Sequence, residues 1–98
     1  MVETYESYDL PDFNDPDIPL KEVLEMLRGQ HILVSARHTR IRVRDFFPQE
    51  GRDAIPVALS ARHTVSGEYK PKIMYASSVD SLRRCCCDLA VYLDNRAQ

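Results

Sequence analysis

The residues of this 98-residue chain best placed to do chemistry are two histidines held in a repeated pentapeptide, Ser35-Ala36-Arg37-His38-Thr39 and Ser60-Ala61-Arg62-His63-Thr64. Paired histidines suit an acid and a base acting on either side of a phosphate. Families with two such histidines carry His-x-Thr or His-x-Ser, with the hydroxyl two residues on so that both side chains leave a strand on the same side. Thr39 and Thr64 instead follow at once and point the opposite way. No carboxylate adjoins either copy to orient an imidazole. The repeat therefore reads as two equivalent strand-end bends, and the chain as a non-enzyme.

Cys85, Cys86 and Cys87 are consecutive. On a helix they project about 100° apart, so they do not converge on one zinc, and neither a Cys-x-x-Cys nor a His-x-x-x-His spacing occurs. Their odd number and adjacency also suit intrachain disulfides poorly. With three glycines in the chain there is no glycine-rich phosphate loop. No metal site and no cofactor are expected.

The arginines make a stronger case. Arg40, Arg42 and Arg44 share one face of a strand by its period of two, and Arg37, Arg62, Lys70 and Lys72 lie on what read as neighbouring strands. Such a row is able to grip a phosphate backbone or an acidic protein surface, with Phe46, Phe47, Tyr69 or Tyr75 for stacking. It also suits a solvated sheet face protected by charge.

The charges are divided. Residues 1–17 hold Glu3, Glu6, Asp9, Asp12, Asp15 and Asp17 and no Lys or Arg, which leaves nine acids against thirteen Lys and Arg in residues 18–98, a body of +4 beside a tail of −6. The tail spaces Tyr5, Tyr8, Leu10 and Phe13 between its carboxylates and is broken by Pro11 and Pro16. It is expected to be unfolded in isolation, and reads equally as a solvated leader or as a segment that orders by docking its aromatics on a basic, partly apolar surface of a partner or of its own domain. No apolar run reaches membrane-spanning length and no basic start precedes one, so neither a spanning helix nor a signal peptide is expected, and a cytoplasmic or nuclear location follows.

These side chains need elements to hold them. Pro19 to Arg28 reads as a first helix, with Leu20, Val23, Leu24 and Leu27 as its apolar stripe, ended by Gly29. A strand runs from His31, and its phase flips at His38-Thr39 through a bulge or tight turn before Ile41 and Val43. Further strands span Ala54 to Arg62 and Glu68 to Tyr75. Pro56 and Pro71 favour an edge position or, for Pro56, a strand's beginning. Ser77 to Asn95 is the clearest helix, opened by Ser77-Ser78-Val79-Asp80 and buried along Val79, Leu82, Cys86, Leu89 and Leu93. Arg83, Arg84, Asp88 and Asp94 fall outside that stripe, and Cys87 and Val91 form a second narrow apolar strip, tolerated at the surface or used for a partner or dimer contact.

In its order of helix, antiparallel strands and helix the chain resembles the double-stranded-RNA-binding domains, and Ser77 to Tyr92 is similar in its small residues facing the sheet. Where that family clusters lysines at the start of its last helix, this chain has Ser77, Ser78, Val79, Asp80 and Ser81. The resemblance thus implies a member that binds protein rather than RNA.

The expectation is one α+β domain over residues 18–98, a three- to four-stranded antiparallel sheet with two helices on one face in the order α-β-β-β-β-α, behind an acidic tail. Its expected role is that of an adaptor or stoichiometric inhibitor of another protein, using the basic face together with Tyr5, Tyr8, Phe13, Cys87 and Val91. The alternative is a nucleic-acid-binding domain whose acidic tail competes for the arginines. Homodimerisation remains open.

Overall fold

The computed structural model describes residues 18–33 and 39–96. Helix α1 (Leu20–Leu27) starts at Pro19, whose carbonyl accepts from the amides of Glu22 and Val23. It ends where Gly29 takes a φ of 74°, a left-handed value that a side chain would strain. Three long antiparallel strands follow, β2 (Thr39–Phe46), β3 (Ile55–His63) and β4 (Tyr69–Ala76), and a short strand β1 (His31–Leu33) pairs antiparallel along the outer edge of β2. Helix α2 (Val79–Arg96) closes the chain. This is an α+β architecture with two helices and an antiparallel sheet.

Alternation does most of the folding work. Ile41 and Val43 of β2 and Val57, Leu59 and Ala61 of β3 point to one face, where they meet Val23, Leu24 and Leu27 of α1 and Leu82, Cys86, Leu89, Ala90 and Leu93 of α2 in a single buried cluster. Both helices thereby cover the same side of the sheet. A register shift between Val43 and Asp45 lets Phe46 turn into the core one residue out of step with the alternation of Ile41 and Val43, a bulge the sequence reading had not placed. Pro71 lies at an edge as expected, since β4 is the outer strand on its side, and Pro56 lies at a strand's beginning as expected, being the second residue of the central strand β3 with its carbonyl accepting from the Phe47 amide.

The start of α2 differs from the expected Ser-x-x-Asp pattern. Ser78 Oγ accepts from the Ser81 amide at 3.1 Å while Ser81 Oγ accepts from the Ser78 amide at 3.0 Å, a reciprocal cap one residue later than expected, with Ser81 in the role usually held by Glu. Asp94 is a further correction. The spacing put it on the solvent side, yet it is 2% exposed and accepts a hydrogen bond from the Thr39 hydroxyl. The last turn of α2 packs where β2 begins, so a carboxylate there meets a hydroxyl instead of water.

The last residues of the two pentapeptides sit in different places. Thr39 is the buried first residue of β2, while Thr64 is exposed in the turn after β3, and Thr39 pairs with His63 across the ladder. The rest of the first copy lies outside the described residues. His63 has a turn-forming role: its Nδ1 accepts from the Ser66 amide at 3.1 Å, and its backbone bonds to Glu68 and Gly67.

Candidate binding face

The face opposite the helices is built by the same alternation that makes the core. Arg40 and Arg42 of β2 stand opposite Arg62 and Ser60 of β3, which in turn stand opposite Tyr69 and Pro71 of β4. Arg44 continues the row, and all four arginines are exposed. Together with Ser60, Thr64 and Tyr69 they line a shallow basin of about 240 Å³.

Tyr69 is the hub of this basin. The Arg62 guanidinium lies 4.9 Å from its ring centroid, and Arg44 Nη1 donates to its hydroxyl at 3.0 Å. Both guanidiniums are thereby held upright over the sheet. Arg42 is steadied differently, its Nε donating to the Gly29 carbonyl beyond α1 at 3.2 Å. Among the described residues, no carboxylate pairs with Arg40, Arg42, Arg44 or Arg62. Three acids of the body pair elsewhere: Asp45 with Arg28 at 3.5 Å, Glu68 with Arg96 at 3.8 Å and Asp80 with Arg83 at 4.0 Å.

Alongside the arginines runs an apolar row. Period two along β4 sends Tyr69, Pro71, Ile73 and Tyr75 to the open face, where Ile73 is 55% and Tyr75 66% exposed. Pro71 and Ile73 join Arg44, Ala58 and Tyr69 in a second, adjoining hollow. The sequence reading named Tyr69 and Tyr75 but missed Pro71 and Ile73, although counting alternate residues from Tyr69 finds them.

The same count corrects two expected members of the basic face. Lys70 and Lys72 stand opposite the core residues Ala61 and Leu59, so they belong to the helix side of the sheet. There they line a groove with Met74, Asp88, Leu89 and Tyr92, and Lys70 Nζ lies 5.6 Å from the Tyr92 ring centroid. Phe46 is likewise removed from the stacking candidates, being buried in the core beneath the Arg28 guanidinium at 4.5 Å. Phe47 is exposed at the end of β2.

Of the other expected site residues, Tyr5, Tyr8, Phe13 and Arg37 lie outside the described residues. Cys87 and Val91 are half-buried on α2, so their strip is narrower than the spacing suggests. Burial pushes the Cys86 thiol up to about 12, with Cys85 and Cys87 beside it adding to the effect. Burial, and then the nearby Asp88 carboxylate, also raises Cys85. Among the described residues, no three His, Cys, Asp or Glu side chains converge where a metal ion would bind, and no helix is long and apolar enough to cross a membrane.

The chain matches no family model, no curated protein and no solved structure.

Proposed function

We propose that this chain is a non-enzymatic binding module that takes up an acidic segment of another protein, one carrying aromatic or branched apolar side chains, along its open sheet face. The observation that carries this reading is the juxtaposition of four arginines without acidic partners among the described residues with the exposed row Tyr69, Pro71, Ile73 and Tyr75. Arg40 and Arg62 stand directly opposite each other, a like-charge pair that weakens a sheet. A cost of this kind supports a binding role for the pair. Arginine and tyrosine are the residue types that protein interfaces concentrate, because each offers a large, rigid contact surface with directed polar groups. An acidic peptide answers the arginines with carboxylates and the β4 row with its apolar side chains.

A second reading, single-stranded nucleic acid, rests on Tyr75, whose exposed ring, on the same side of the sheet as the arginines, offers a platform for a base. The two separate in one comparison. Peptides selected by display on the full chain are expected to combine Asp or Glu with Tyr, Phe, Leu or Ile, and to lose binding at least tenfold when Arg42→Glu and Arg44→Glu are combined. Absence of any peptide enrichment, together with single-stranded RNA binding that falls steeply with salt and is lost in the same variant, would overturn the protein-binding reading in favour of the second.

A further inference from the structure

Building on that reading, we infer that the chain carries its own competitor: residues 1–17 occupy the arginine face in cis, and a partner must displace them. The complementarity is one of kind. The segment offers six carboxylates, with no Lys or Arg, and intersperses Tyr5, Tyr8, Leu10 and Phe13 among them. The face offers Arg40, Arg42, Arg44 and Arg62, and beside them Tyr69, Pro71, Ile73 and Tyr75. Each half of the segment's composition thus has its counterpart on the same side of the same sheet.

Length permits the contact. Seventeen residues fully extended reach roughly 55 Å, and an eight-residue strand such as β2 is roughly 26 Å long. The segment is thus long enough to leave Ile18 on the helix side, pass the sheet edge and still lie along the arginines. Pro11 and Pro16 remove two amide donors, so contact by side chains is favoured over addition of a regular strand. Tethering supplies the rest: a short covalent connection holds the segment at an effective concentration of about a millimolar, so even an intrinsic dissociation constant of about 0.1 mM lowers a partner's apparent affinity roughly tenfold. The regulated property is then access to the face. Any event that removes carboxylates from the segment, or draws it to another cation, opens the site.

The basic groove formed by Lys70, Lys72 and Tyr92 on the helix side is the competing place for the same segment. One pair of full-length proteins decides between them: the natural chain, and a variant with Glu3→Gln, Glu6→Gln, Asp9→Asn, Asp12→Asn, Asp15→Asn and Asp17→Asn. The probe is a fluorescein-labelled synthetic peptide of residues 1–17. The variant is expected to bind the probe about tenfold more tightly than the natural chain, and adding Arg42→Glu and Arg44→Glu to the variant is expected to abolish binding. Backbone amide shifts in ¹⁵N spectra of the two unliganded proteins should differ at Arg40, Arg42, Arg44, Arg62 and Tyr69 and agree along α2.

Equal probe affinity for the two proteins overturns the inference, as do shift differences confined to Lys70, Lys72 and α2. If affinity is equal but the arginine substitutions still abolish it, the face remains a peptide site and only the competitor is lost. If the probe binds neither protein and the shifts agree, the competitor and the peptide-binding reading fall together.

Discussion

A single tyrosine organises the open face. Tyr69 gives its ring to Arg62 and its hydroxyl to Arg44, so two cations that would otherwise spread into solvent are held over one basin. The buried side holds the opposite kind of residue, a thiol kept from ionising. Cys86 is fully enclosed between α2 and the sheet, and its folded-state value of about 12 lies above the ordinary 9.0. A raised value means that the neutral thiol is the form the fold favours, so its contribution is complete below pH 9 and is lost as the pH climbs towards 12. Urea midpoints measured across that interval are expected to fall for the natural chain and to fall less for Cys86→Ala, once the lower starting stability of the variant is subtracted. Maleimide labelling at pH 8 is expected to spare Cys86 in the folded protein and to reach it in urea.

At the level of elements, β2 serves two masters through alternation: Ile41 and Val43 complete the core while Arg40, Arg42 and Arg44 furnish the opposite face. The bulge after Val43 ends this arrangement, turning Phe46 inward to seal the bottom of the core. Because Arg40 directly faces Arg62, Arg40→Glu replaces a repulsive cross-strand pair with an attractive one. The change is expected to raise unfolding stability by about 0.2–1 kcal/mol, while weakening acidic-peptide binding severalfold. Chemical denaturation and a peptide titration on the same variant measure both effects. A loss of stability would mean that Arg40 supports the fold and would remove the argument from like charge. Helix α2 spans the other face and ties its far end to the β3–β4 turn through Arg96, which meets Glu68 at 3.8 Å and donates to the Tyr92 hydroxyl at 3.3 Å.

Across the whole molecule two fields of opposite sign share one chain, and ionic strength acts on both. Exposed charges are screened over about 10 Å at 0.1 M salt and over less as salt rises. In the variant with its six tail acids neutralised, acidic-peptide affinity is expected to fall steeply between about 50 and 300 mM salt, whereas in the natural chain the fall is shallower because the internal competitor weakens in parallel. Fluorescence titrations at three salt concentrations compare the slopes. Equal slopes would speak against competition. Much of this molecule was legible in the sequence: both helices, the three long strands and the arginine row follow from periods of 3.6 and two, which depend only on local backbone geometry. Strand β4 shows what was left to read in the same way, since its alternation already separates Tyr69, Pro71, Ile73 and Tyr75 from Lys70 and Lys72. Composition misled there, because lysines read as outward on any face. Only the tertiary structure decided what lies across from each residue. Asp94 is buried because the end of α2 meets Thr39, and Phe46 because a bulge shifts the ladder. Period fixes which residues share a face, but the partner on that face comes from distant parts of the chain, and burial follows from the partner.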